Sequence, residues 1–290
     1  MNLWSGLVAS FKEKIMEPNK NALIVDGMNL AFRWKHQGKL DFKQDYVNTV
    51  KSLAQSYDCS KIIITGDQGS SAYRKFIDPQ YKANRAEKYK DQTEQEKKDI
   101  KLFFEEYERT LEALEEQFLL LRYANVEADD LVAYVVSKRE EMGIEDIWMI
   151  SSDRDWDLLV NENVSRFSTV TRKETTVFNW EEFFDFPQED YISFKVLTGD
   201  KGDNVDGVAG IGPKRATELL KEYGTAFDIY DAIPIPSRYK YIQALNASKE
   251  LILKNYRMMD LVSYCAEAIE HPGHSLLEID ERVKEYINVN

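Results

Sequence analysis

ALIVDG, residues 22–27, is a short apolar run closed by Asp-Gly, and its reading decides the fold. A run with no polar face suits a strand buried on both sides, as in a parallel sheet covered by helices. KIIITGD (61–67) repeats the form after the helix-patterned QDYVNTVKSLAQSY. FLLLRY (118–123) is a third such run, and DIWMISSD (146–153) a fourth, with WDLL entering a short helix behind it. Strands alternating with helices predict an α/β fold with a parallel-sheet core. Ligands of such sheets bind outside the carboxyl ends of the strands, where Asp26, Asp67 and Asp153 all fall.

Two segments interrupt the alternation. Residues 80–117 are strongly charged, helix-prone and nearly free of branched aliphatics, which predicts an inserted helical arch. Beyond about residue 185 the strand pattern ceases and short helices take over, so the expected division is a core over 1–185 and a helical region over 186–290. MNLWSGLVASFKEKIMEP at the start reads as a short peripheral helix, and with no basic residues ahead of its apolar ones it does not read as a signal peptide. No apolar run approaches the roughly 18 residues of a membrane span. Cys59 and Cys265 are too few for a disulfide scaffold, which suits a reducing cytoplasm, and His36, His271 and His274 form no zinc pattern with them.

The chain has 290 residues and a formal charge of -13, yet VEADD (126–130) packs three carboxylates into four positions at the start of a helix. Two like charges about 4 Å apart repel by roughly 4 kcal/mol at an effective dielectric near 20. A helix N-terminus offsets only about 0.3–1 kcal/mol per acid. Taken with their neighbours at strand ends and helix starts, the acids are Asp26, Asp67, Glu127, Asp129, Asp130, Asp153, Asp155, Asp200 and Asp203. Singly, each can be a turn or a cap. Their convergence on one edge of one sheet points instead to divalent metal. Oxygen-only ligands select magnesium, manganese or calcium. DRDWD (153–157) is no EF-hand, because Leu158 and Val164 stand where glycine and glutamate are required, so Asp157 reads as a first-turn helix residue. Two magnesium ions about 3.5–4 Å apart suit in-line displacement at phosphorus.

GDKGDNVDGVAGIGPKRATELLKEYG (199–224) carries glycines at 207, 210 and 212 ahead of Pro213, at a first helical position. Glycines let backbone approach closely, and the amides of a helix start bind phosphate. Lys214 and Arg215 add charge beside them, while the spacing excludes a Walker A loop.

With these motifs in place, the chain resembles the flap endonuclease/5′ nuclease (5′-3′ exonuclease) family, closest to phage-encoded replication nucleases. The resemblance runs from LIVDGMNL through VEADD, SSDRDWD and TGDKGDN to GIGPKRA. It implies a PIN-like core with a helical arch and a helix–hairpin–helix (helix–three-turn–helix) motif. It also implies a first metal at Glu127, Asp129, Asp130 and Asp153 with Asp26 and Asp67 nearby, and a second at Asp155, Asp200 and Asp203 sharing Asp153. YKANR (81–85) matches the arch-base motif, implying that Lys82 and Arg85 contact the scissile phosphate and that Tyr81 stacks on a base. The resemblance further implies magnesium, with manganese able to substitute, and a potassium ion held by backbone carbonyls within Val208–Ile211. Ala83 replaces the usual glycine of the arch motif, Gln68 a common basic residue, and Arg154 stands between two of the acids.

Further phosphate contacts are expected at Arg33 and Lys35 after the first strand, at Gly210, Gly212, Lys214 and Arg215 in the hairpin, and at Arg238 and Lys240 beyond it. The outer arch lysines alternate with acids and read equally as a solvated helix. The expected protein is a monomeric, magnesium-dependent nuclease that cuts branched DNA bearing a 5′ flap or 5′ end, by junction shape. An RNA-primer-removing nuclease of the same fold and a non-catalytic junction-binding protein are the alternatives.

Overall fold

The computed structural model of the chain describes residues 19–85 and 92–289. The N-terminal segment read as a peripheral helix lies outside the described residues, as do Lys88 and Lys90 of the arch. Among the described residues no helix is long and apolar enough to cross a membrane.

β1 (Ala22–Asp26) is wholly buried and pairs in parallel with β2 (Lys61–Thr65) on one side and β4 (Ile147–Ile150) on the other. β3 (Leu119–Leu121) joins beyond β2, trimmed from the six residues expected of FLLLRY. The sequence reading stopped at four strands, and the structure adds two. β5 (Val164–Ser168) pairs in parallel with β4, and β6 (Lys173–Thr175) closes the edge antiparallel, giving the order β3-β2-β1-β4-β5-β6. Both escaped detection because β5 alternates buried and half-buried residues around the charged Arg166, and β6 reads KET. The switch point of the sheet lies between β1 and β4, where an open crevice is expected.

Helices cover both faces. α1 (Gly27–His36), α2 (Lys43–Ser56) and α4 (Glu94–Glu115) bury Leu30, Tyr46, Phe103 and Tyr107 against one of them. α5 (Ala128–Ser137) lies on the other, its Leu131, Val132 and Val135 packed in one core with Met149 and Trp156. α3 (Ala72–Ile77) leads to the arch base, and the described part of the arch returns along α4, whose start is fixed by a capping box between Thr93 and Glu96.

Beyond residue 186 the chain serves two bodies. α6 (Tyr191–Thr198), α7 (Pro213–Tyr223), α8 (Ala226–Ala232), α9 (Lys240–Asn246) and α10 (Lys249–Met259) share a core of their own around Val208, Ile211, Leu220 and Ile252. α11 (Leu261–Glu270) and α12 (Leu276–Asn288) return to the α5 face of the sheet through Cys265, Ile269, Ile279 and Val283. Strands do not cease at 185: β7 (Gly199–Asp200) and β8 (Val205–Asp206) form a short antiparallel ladder that presents Asp200 and Asp203.

Candidate active site

The carboxyl edge of the sheet carries the acids. Asp26 ends β1, where its carboxylate accepts from the Asn29 amide at 3.0 Å and from the Ser151 hydroxyl at 2.8 Å. Asp67, two residues past β2, accepts from the Ala128 amide at 2.7 Å and so caps α5 from outside its own segment. That leaves Glu127, the N-cap residue, with its side chain turned away from the helix start. Asp129 accepts from the Trp156 indole at 2.7 Å, and Asp153 caps the 3-10 helix Arg154–Leu159. The first-turn location therefore explains part of the acid density, but not the buried part.

Burial pushes the Asp26 carboxyl up to about 7. Burial and then Glu127 raise Asp67, while burial and then Asp153 raise Asp129 well above the usual range. Asp153 rims the cleft, and withdrawal of its carboxyl from water together with Asp155 carries it to about 6. Carboxyls raised by one another and by burial are short of positive charge, and an all-oxygen donor set fits a hard divalent ion. Among the described residues no three acidic, histidine or cysteine side chains converge at ligand spacing on one point, and cationic side chains lie against several of them.

Those cations come from two directions. Lys82 reaches Glu127 at 2.7 Å and Asp203 at 3.5 Å, and Arg85 reaches Asp203 at 2.6 Å. Burial opposes the Lys82 charge, but Glu127 and Asp203 outweigh it and raise its pKa. Burial likewise works against Glu127, and Lys82 with Arg74 holds it below the ordinary value. From the other side the buried Lys195 pairs with Asp155 and lies 3.6 Å from Asp200. Lys82 has φ +56, a left-handed conformation costing about 1–3 kcal/mol in a residue with a Cβ. Its amide donates to the Asp203 carbonyl at 2.9 Å, which ties the arch base to the β7–β8 turn. The positive φ falls at 82 and not at 83, so alanine in place of the usual glycine strains nothing.

Two expected site residues are held by protein partners. Asp130 is fully buried and held by Arg74, whose guanidinium donates to both its oxygens at 2.6 and 2.8 Å and lies 3.5 Å from Glu127. Tyr81 does not offer a stacking face: it is 4% exposed, packs with Val205, Met258 and Met259, and donates toward Glu127 and Asp203 at 2.8 and 3.0 Å. A phenol flanked by acids in a motif rich in cations fits a strut better than a platform.

The hairpin is built as its glycines require. Gly210 has φ +78 and Gly212 caps α7 ahead of Pro213. Lys214 is exposed at the helix start, whereas Arg215 donates to the Gly210 carbonyl at 2.6 Å with its guanidinium over the Tyr241 ring. The Val208 carbonyl accepts from the Ile211 amide at 2.9 Å. Arg33, Arg238 and Lys240 are exposed, and Lys35 rests over the Phe32 and Phe103 rings.

The sequence and the fold have counterparts among known proteins. The model of the 5′-3′ exonuclease N-terminal resolvase-like domain matches residues 21–186, and that of the 5′-3′ exonuclease C-terminal SAM fold matches residues 186–280. The chain belongs to the 5′-3′ exonuclease family. Within that family it is 42% identical to the flap endonuclease of Escherichia phage T5 over 269 residues, 92% of each chain. It is 28% identical to the flap endonuclease Xni of Shewanella piezotolerans, over 82% of this chain and 91% of that one. A crystal structure of the bacteriophage T5 flap endonuclease, in a pseudo-enzyme-product complex with DNA and metal ions, superposes with a TM-score of 0.89 at 40% identity, covering 93% of this chain and all of that one. As a member of the 5′-3′ exonuclease family the protein is a nuclease.

For this family member the sequence reading missed the groups that hold the acids. Lys195 is a single charge inside the apolar stretch YISFKVLT, a placement that itself signals a buried ion pair, whereas Arg74 shares AYRKFI with the exposed Lys75 and stands out less. Ser151 and Trp156 carry no such signal. Asp157 pairs with the buried Arg166 at 2.6 Å, in keeping with its reading as a structural residue. Arg154 sits over the Phe184 ring, and among the described residues it pairs with neither Asp153 nor Asp155. Gln68 contributes its backbone, accepting from the Asn125 amide at 2.7 Å.

Proposed function

We propose that the protein is a structure-specific 5′ nuclease, acting as flap endonuclease and 5′-3′ exonuclease on DNA where single strand meets duplex. The observation that carries this reading is the row of Asp26, Asp67, Glu127, Asp129 and Asp153 along the carboxyl edge of the sheet, with Lys82 set on Glu127 and Arg85 on Asp203. Asp129 and Asp153, with Glu127, Asp67 and Asp26 behind them, are the groups that would hold one divalent ion, and Asp155, Asp200 and Asp203 a second. Magnesium, with manganese as substitute, would supply an activated water and stabilise the leaving oxygen.

The chain's own residues do the rest. Lys82 and Arg85, poised over the acids, stabilise charge developing on the scissile phosphate. Ser151 fixes Asp26, Trp156 fixes Asp129, and Asp67 holds the start of α5. The amides from Gly210 to Lys214, with the Lys214 ammonium, grip duplex backbone without reading sequence, and backbone carbonyls within Val208–Ile211 hold potassium. Arg33, Lys35, Arg215 and Lys240 extend the phosphate track. Core and helical region divide near residue 185. The protein works as a monomer in the cytoplasm of a phage-infected cell, during replication, where RNA-primed ends are further substrates.

Cleavage of a 3′-labelled 5′-flap duplex by wild type and Asp153→Asn across a magnesium titration tests the reading. Magnesium-dependent cutting near the junction, lost in the variant while binding in calcium persists, is expected. Binding without cutting by the wild type would leave only a junction-binding module.

A further inference from the structure

Tyr107 lies on α4, the helix that returns from the arch, and is fully buried. Among the described residues its hydroxyl has no hydrogen-bond partner. The hydroxyl is wedged where β1 and β2 end. A Cβ on Gly27, the residue after Asp26, would lie 2.7 Å from the Tyr107 oxygen and 2.9 Å from the Thr65 carbonyl. A Cβ on Gly66, the residue before Asp67, would lie 3.5 Å from the same oxygen. The glycine of ALIVDG is thus required by close approach and not by a turn, since its φ is not positive. A nearby tyrosine shows how this environment normally satisfies a phenol: Tyr46 donates to the Gly27 carbonyl at 3.0 Å.

A buried hydroxyl without a partner is uncommon. Each of the two glycines that face the phenol has a carboxylate as its chain neighbour, Asp26 beside Gly27 and Asp67 beside Gly66, so polar partners for a water, which needs two to four, adjoin it. We propose that Tyr107 is a positioning residue for the acid cluster, its hydroxyl donating to an ordered water shared with Asp26 and Asp67. Asp26 feels the charge of Asp153, and Asp129 that of Asp67, so the phenol acts through its two acids on the ion the cluster would hold. Partners of this outer kind are worth about 10–100-fold in metal affinity or activity. Because Tyr107 and the arch share one helix, the contact also couples the seating of the arch to the aim of the acids.

This inference rests on reading the acids as metal-holding. Tyr107→Phe keeps the ring and removes only the oxygen. Calcium binding measured by calorimetry should weaken about 10-fold, and in magnesium kcat on a flap duplex should fall while KM for DNA stays unchanged. Melting of the metal-free protein supplies a readout independent of cleavage. Unchanged calcium binding together with a higher melting temperature would show an orphan hydroxyl and overturn the inference. Absence of calcium binding in the wild type would overturn the metal reading and this inference with it, whereas equal binding by both proteins would overturn this inference alone.

Discussion

Arg74 holds Asp130 through two parallel hydrogen bonds of 2.6 and 2.8 Å, and its Nε donates to the Met258 carbonyl at 2.9 Å. One guanidinium thereby joins the acid helix, the arch-base helix and the end of α10. Burial opposes both charges, raising the Asp130 carboxyl, and each partner is the main group that opposes that burial effect on the other.

Breaking that pair from one side leaves a buried charge alone, at a cost of about 3–5 kcal/mol. Asp130→Asn should therefore lower the urea midpoint strongly. Asp129→Asn, one residue away, removes an acid that burial destabilises, and should leave the midpoint equal or higher while calcium binding is lost. Equal destabilisation by the two variants would contradict the division between a structural and a metal-facing carboxylate.

The raised acids fix the sign of a pH effect. Asp26 at about 7 and Asp153 at about 6 bind protons in the folded state that the unfolded chain has released. Their contribution to stability therefore grows as pH falls from 8 toward 5. Glu127, held low, loses its stabilising contribution only below its ordinary range, outside that window. In EDTA the protein should melt higher at pH 6 than at pH 8. Divalent ion binding at pH 6.5 should release protons, visible as a dependence of the calorimetric heat on buffer ionisation enthalpy.

Lys82→Ala removes a cation aimed at the reacting phosphate, and kcat should fall by about 10²–10³. Flap affinity in calcium should change little. A loss confined to KM would make Lys82 a binding residue instead.

Lys214→Ala takes one exposed charge from the hairpin. Its plot of log affinity against log salt should be shallower by about 0.9, the slope for one phosphate contact. Cleavage at saturating DNA should be unaffected, and an unchanged slope would remove Lys214 from the interface.

The parallel core was legible because ALIVDG, KIIITGD and the acids behind them follow one buried-strand pattern. The acids were legible as a set because carboxylates at successive strand ends meet on one edge. What stayed hidden were the long-range partners. That Asp130 belongs to Arg74, or Asp155 to Lys195, depends on side chains 56 and 40 positions apart. Helical periodicity says nothing about such pairings. Strand β5 was missed for a related reason: Arg166 breaks its apolar pattern, and only its burial beside Asp157 makes a charge acceptable there. Tyr81 was misjudged because an aromatic among cations looks like a stacking platform until its hydroxyl is placed.

The hairpin module leaves the core through α6 and comes back to it at α11, so it is held like a bridge deck on two piers rather than a flag on one pole. Lys254 adds a lateral brace to Asp78 at 2.9 Å, below the arch. A duplex lying on that deck is presented to the acids at a set separation. On the proposed reading the distance from grip to cut would be a built-in ruler, and the position of the nick would be specified by architecture before any base is recognised.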